Sequence, residues 1–247
     1  MTRAELTEKI LDHARQEGFS LAGIAIPGQM QGFQKFTQWI DRGFAADMQY
    51  LYRADTLVKR ENPTLIMPDV KSILIVALPY FDQKTEGIDS PSSGLGRVAS
   101  YAWGADYHDV LPRKLERLVE KIKPLIQIPF GYKICTDSAP ILERELAVNA
   151  GLGWIGRSSM LINPNHGSTF LLGELFLTLD LLPTDTIISD HCGNCDRCIK
   201  ACPTACIQPD RTIDAGKCIS YLTIENKSEI PTLSLIHISE PTRPERI

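Results

Sequence analysis

The chain has 247 residues and a formal net charge of −4, with 43% hydrophobic and 23% charged residues. That is the balance of a soluble globular protein long enough for one large domain, or a domain plus a small module, without covalent staples. No segment approaches the roughly 20 apolar residues of a membrane span, and the acidic total advertises neither nucleic-acid nor membrane binding.

In chain order, Arg3 to Glu17 reads as a helix with Leu6, Ile10, Leu11 and Ala14 on one face, stopped by Gly18. Ser20 to Ile26 reads as a strand, and Phe33 to Arg42 as a helix with Phe33, Phe36 and Ile40 at helical spacing. A polar, charge-rich stretch from Tyr52 to Asn62 closes at Pro63. Ser72 to Leu78 is a strand without polar alternation, which predicts burial on both faces. Phe81 to Gly96 reads as a surface loop rich in Gly, Pro and Ser. His108 to Lys123 is predicted helical, with Pro112 in its first turn. Tyr132 to Thr136 reads as a strand, Pro140 to Asn149 as a helix, and Thr169 to Leu179 as a strand interrupted at Gly173. To about residue 183 the pattern is α+β or α/β, and the element order does not fix parallel topology.

From Ser189 the character changes to a cysteine-rich module. Five of the seven cysteines fall between Cys192 and Cys206. An odd count so crowded is a poor disulfide framework, and without an export signal it points to metal binding in a reducing compartment, the cytoplasm. Cys192, Cys195, Cys198 and Cys202 follow at gaps of two, two and three residues, and Pro203 comes next. This is the ferredoxin ligand run, in which three thiolates wrap one cluster and the fourth is carried off to another. Structural zinc also takes four thiolates, but its ligands fall in separated pairs. Cys135 and Cys206 read as small buried residues, and Cys218 is the one cysteine downstream of the Cys192 to Cys206 cluster.

Beyond the cysteines, four blocks stand out: Tyr101-Ala-Trp-Gly-Ala-Asp-Tyr107-His108, Asp137-Ser138-Ala139-Pro140-Ile-Leu-Glu143-Arg144, Ala150-Gly-Leu-Gly153-Trp154-Ile155-Gly156, and Cys218-Ile-Ser220-Tyr221-Leu-Thr-Ile-Glu225. In this order they resemble the epoxyqueuosine reductases, iron–sulfur enzymes of transfer-RNA modification, over residues 1 to about 231. The resemblance implies a mixed α/β cobalamin-binding domain over 1–185, a partial ferredoxin-like module over 186–232, and an unrelated tail over 233–247. It implies two 4Fe-4S clusters passing electrons to a base-off cobalamin, which drives loss of the epoxide oxygen from epoxyqueuosine at the tRNA wobble position. The partners implied are that tRNA and an electron donor, around a monomeric protein with no membrane contact. Asp137 takes the family's proton-donor position; on the residues alone it reads as the N-cap of the following helix. Opening an epoxide leaves an alkoxide that needs a proton, and a carboxyl group desolvated by corrinoid and base suits the task. The cofactor residues implied are Arg60, Tyr107, His108, Ser138, Arg144, Gly153, Trp154, Ile155, Ser158 and Ser220, with Cys218 joining the Cys192 to Cys202 run as cluster ligand. Gly151, Gly153 and Gly156 read either as a close backbone approach to the corrinoid or as a helix-terminating turn. Trp154 reads equally as a corrin contact or as core.

Past about Leu233 the resemblance stops. The family's second Cys-x-x-Cys run and helical repeats are not met, so the first cluster lacks its fourth cysteine, the second lacks two, and the chain as written is expected to be an incomplete, inactive fragment. The tail resembles translated sequencing-adaptor read-through, and the native frame is expected to end near residue 232. Two other readings compete: a corrinoid-dependent reductive dehalogenase, whose usual twin-arginine signal is not seen, and a non-enzymatic ferredoxin-type carrier, which leaves the Asp137 and Trp154 blocks unexplained.

Overall fold

The computed structural model describes residues 1–80 and 99–230. The loop expected over 81–96 and the tail over 233–247 lie outside the described residues. Helix α1 (Arg3–Gln16) opens on a capping box: the Thr2 hydroxyl accepts from the Glu5 amide while Glu5 accepts from the Thr2 amide. Its buried side chains, Ile10, Leu11 and Ala14, are the expected stripe. Strands β1 (Leu21–Ala25), β2 (Ser72–Pro79), β3 (Tyr132–Cys135) and β6 (Phe170–Leu177) form one sheet in the order β1-β2-β6-β3. Every pairing is antiparallel, so the mixed fold is α+β. A short hairpin, β4 (Trp154–Ile155) and β5 (Leu161–Ile162), stands apart.

Both faces of the sheet are covered, which is why β2 reads as a continuous apolar run. On one face, α1 and α4 (Tyr107–Ile122) pack Ile10, Leu111, Leu115 and Leu118 against Leu74, Val76 and Leu175. On the other, α5 (Glu143–Asn149) packs Leu146, Ala147 and Ala150 against Ile73, Ile75 and Phe176. Each fully buried aliphatic side chain contributes about 1.5–3 kcal/mol.

Several expectations are corrected. Helix α4 begins at Tyr107 with Asp106 as its N-cap, so Pro112 sits inside the helix rather than in its first turn. The strand at Gly173 is unbroken: a Cβ there would lie 3.3 Å from Leu115 and 3.5 Å from Leu111, so the bare backbone lets α4 approach the sheet. The helix expected from Pro140 starts only at Glu143, because Asp137 turns the chain with φ +53° and Leu142 is still non-helical. The polar stretch after Tyr52 holds a helix, α3 (Ala54–Glu61), whose buried residues are Thr56 and Arg60. Helix α2 (Phe33–Asp41) forms as expected but buries none of its residues.

The cysteine-rich segment carries the short helices α6 (Arg197–Ala201) and α7 (Ile219–Ile224). Its small core of Ala215, Tyr221 and Leu222 packs against Trp39, Ala46 and Met48. Polar contacts tie the two parts together. Trp39 Nε1 donates to the Ile213 carbonyl at 2.6 Å, Arg42 pairs with Asp210 at 2.9 Å, and the Ala215 amide donates to the Phe44 carbonyl at 2.9 Å. Helix α2 therefore turns Trp39 to the module, while Phe33 at its start packs against the sheet core.

Candidate active site

Asp137 sits on the turn that leaves β3, next to the N-terminus of α4. Its Oδ2 accepts from the Tyr107 hydroxyl at 3.0 Å and lies 3.2 Å from His108 Nε2. The other ring nitrogen, Nδ1, lies 2.8 Å from Asp106 Oδ1. With a proton on Nδ1, the hydrogen bond between Nε2 and Oδ2 needs one further proton, shared by His108 and Asp137. The Asp137 side chain is 57% exposed. A non-glycine residue at φ +53° is uncommon, and such backbone gathers at functional positions. Asp137 does not cap α5: Leu142 holds that position and no side chain caps the helix.

The carboxyl group opens onto a cleft of about 700 Å³ between the sheet domain and the cysteine module. The domain side contributes Asp137, Ser138, Ile141, Glu143, Arg144 and Ile155, with Phe36 and Trp39 from α2; the module side contributes Arg211, Ile213, Cys218 and Tyr221. Arg60 lines it too, held by its Nη1 donating to the Ile141 carbonyl at 3.1 Å, and burial lowers its pKa. Arg144 donates to the Ser159 carbonyl at 2.5 Å, and Arg211 to the Ile155 carbonyl at 2.7 Å. Tyr50 on the wall is pushed up to about 12, first by burial and then by Glu225. It keeps its proton at neutral pH.

Of the residues expected around a cofactor, the cleft gathers Arg60, Ser138, Arg144 and Ile155. Tyr107 and His108 hold Asp137 instead of lining the cleft. Trp154 is only 9% exposed and donates from Nε1 to Cys192 Sγ at 3.4 Å, so it faces the cysteine run. Gly153 serves the hairpin: a Cβ there would lie 2.1 Å from the Ile162 carbonyl oxygen. Gly151, at φ +73°, ends α5. Ser158 gives way to Ser159 on the wall, and the exposed Ser220 to Cys218 and Tyr221. The sequence reading missed Phe36, Trp39, Tyr50, Glu143 and Arg211. The unplaced aromatic pair on α2, at i and i+3, was the available signal.

All seven cysteines are free. Cys192 and Cys195 bracket a turn, closed by the Cys195 amide donating to the Cys192 carbonyl at 2.7 Å; Cys198 lies on α6, and Cys202 caps its C-terminus. The Cys202 and Cys206 sulfurs are 3.4 Å apart. Burial opposes ionisation of Cys202, but hydrogen bonds from Cys206 and Thr204 outweigh it and bring the thiol to about 7. Cys206 and Cys135 are buried, as expected, and burial raises both thiols to about 12. Among the described residues no three His, Cys, Asp or Glu side chains converge closely enough to hold a metal ion. The fit to a cluster therefore rests on donor type and spacing: four thiols in a short turn-and-helix segment suit iron–sulfur ligation.

Residues 60–138 match the family model described as "Epoxyqueuosine reductase QueG, DUF1730", and residues 191–239 match a "4Fe-4S double cluster binding domain". An epoxyqueuosine reductase of Synechococcus sp. (strain RCC307) is 38% identical over 239 residues, which cover 94% of this chain and 70% of the relative. The chain belongs to the epoxyqueuosine reductase family. A relative from Francisella cf. novicida is 42% identical over 203 residues, but the match spans only 55% of its length. The epoxyqueuosine reductase structure from Streptococcus thermophilus superposes with a TM-score of 0.82 at 29% identity, covering 91% of this chain and 59% of that one. A reductase solved with an epoxyqueuosine-modified tRNA stem loop gives the same TM-score at 28% identity, covering 92% and 59%. The Bacillus subtilis enzyme, described with an aspartate catalytic loop swung out of its active site, gives 0.79 at 28% identity over the same shares. No helix among the described residues is long and apolar enough to cross a membrane.

Proposed function

We propose that this chain carries the catalytic cleft of an epoxyqueuosine reductase, which removes the epoxide oxygen of epoxyqueuosine at the tRNA wobble position. The observation that carries the reading is the meeting of Asp137, three arginines and Cys218 around one cleft between the sheet domain and the cysteine module. Family membership selects this reading over the dehalogenase and the carrier.

The cleft fits a large, flat, amide-fringed ligand such as cobalamin. Phe36, Trp39, Ile141 and Ile155 offer apolar surface, while Arg60, Arg144 and Arg211 offer donors for amide and phosphate oxygens. When bound, a corrinoid supplies a strongly reducing metal centre. Cys192, Cys195, Cys198, Cys202 and Cys218 would hold cluster iron on this chain, and Cys218 on the wall would place a cluster ligand beside the cleft. Trp154, hydrogen-bonded to Cys192, stabilises that thiolate as a ligand.

Asp137 is the proton donor. Its carboxyl is more than half exposed, so the molecules that fill the cleft are what shield it from water. Tyr107 and His108 fix the carboxyl toward that space, which sets the distance for proton transfer. The full enzyme acts on tRNA as a cytoplasmic monomer and draws electrons from an external one-electron donor.

Anaerobic reconstitution with iron, sulfide and cobalamin, followed by gel filtration with absorption detection, tests the reading. Corrinoid and cluster absorption are expected to elute with the protein. Corrinoid eluting wholly apart from it would contradict the proposal.

A further inference from the structure

Glu174 lies in the middle of β6, opposite Ile75 of β2 and Cys135 of β3, on the sheet face covered by α5. It is 0% exposed, and neither carboxyl oxygen has a hydrogen-bond partner. An unpaired acid is among the costliest groups to bury, so a core position for one needs a reason. Its register partner Cys135 stands two residues before Asp137, and α5, which packs on β6, begins at Glu143 on the cleft wall. Three carboxyl groups thus run from the core to the cleft: Glu174, Glu143 and Asp137.

We propose that Glu174 is a proton store behind the active site, connected to Asp137 and the cleft through Glu143. The inference rests on the reductase reading. Loss of an epoxide oxygen as water breaks two C–O bonds, leaves a carbon–carbon double bond, and consumes two electrons and two protons. The electrons come from the external one-electron donor through the clusters. Asp137 gives one proton to the opening oxygen, and the second reaches it from Glu174 by way of Glu143. Both carboxylates then recover protons from solvent through the cleft.

The surroundings favour a neutral Glu174. Burial raises its pKa well above the ordinary carboxylate value, and the charges of Glu143 and Asp137 push the same way. The other titratable group facing it is the Cys135 thiol, and Ile75 brings no charge from β2. Glu143 is also raised, by burial first, although Arg144 and Arg60 beside it oppose the shift. No hydrogen bond joins Glu174 to Glu143, so a proton passing between the core acid and the wall acid needs a bridging water or a turn of the Glu143 side chain.

Infrared spectroscopy of the whole chain tests the store without turnover. A protonated-carboxyl stretch should be present at neutral pH in the wild type and lose its Glu174 component in Glu174→Gln, whose neutral side chain keeps the shape. That component should shift quickly on transfer to D2O in the wild type and far more slowly in Glu143→Gln. An unchanged band in Glu174→Gln, or equally fast exchange in Glu143→Gln, would overturn the proposal. In turnover, Glu174→Gln should lower kcat by about 100-fold, at the low end for general acid catalysis, with KM unchanged; an unchanged kcat would overturn it too. A wild type completed with the missing cluster cysteines that binds corrinoid yet forms no queuosine would instead refute the reductase reading, and the infrared results would still decide whether Glu174 is a store.

Discussion

Asp137 is held by two side chains from one turn of α4, and each hold makes a distinct prediction. Tyr107→Phe removes the hydroxyl that donates to Oδ2 at 3.0 Å. Losing about 1 kcal/mol of hydrogen bonding lowers kcat by up to roughly fivefold. Steady-state kinetics should show this in kcat more than in KM. Glu174 makes a prediction about stability. Its folded pKa is raised, so its contribution is fully present below the unfolded value of about 4.3 and is lost as pH rises through the folded pKa. Thermal melts should therefore show the wild type losing stability from acid to alkaline pH faster than Glu174→Gln. Parallel curves would remove Glu174 as the cause. Asp137 was legible through its sequence block, but Glu174 was not, because a lone Glu in an apolar strand carries no motif.

Helices α1 and α4 were legible because each turns one apolar stripe to the sheet, and the stripe has the helical period. Leu118→Ala on α4 should cost about 2–5 kcal/mol, measured by denaturant unfolding. Helix α3 escaped notice because its buried positions are Thr56 and Arg60, which no hydrophobic pattern marks. The glycine segment after α5 carried two readings, close approach to a ligand or a helix-terminating turn, and Gly151 at φ +73° takes the second. Gly153→Ala would drive a Cβ to 2.1 Å from the Ile162 carbonyl oxygen, so the β4–β5 hairpin must shift. Overpacking of this kind costs about 1–3 kcal/mol, read as a lower melting temperature.

Across the whole molecule, the cleft was the least legible feature, because its walls come from segments far apart in the chain. Trp39 and Ile213 bond across 174 positions, and no local period records that pairing. Helix α2 showed aromatic residues at helical spacing, but nothing local said that Trp39 would meet the module. Trp39→Ala should loosen the module without unfolding the sheet domain, so limited proteolysis should cut faster between about residues 186 and 230 while the α1 and α4 core survives. The cysteine spacing made the iron–sulfur character plain, yet nothing in it announced that Cys218 opens onto the same space as Asp137. That shared space is the central claim, and mass spectrometry of an epoxyqueuosine-modified stem loop tests it. In a chain completed with the cysteines its relatives carry further on, reconstituted and given an anaerobic reductant, the wild type should remove one oxygen atom. Asp137→Asn should still bind corrinoid but fall roughly 100- to 10,000-fold in rate; conversion at the wild-type rate by that variant would contradict the account.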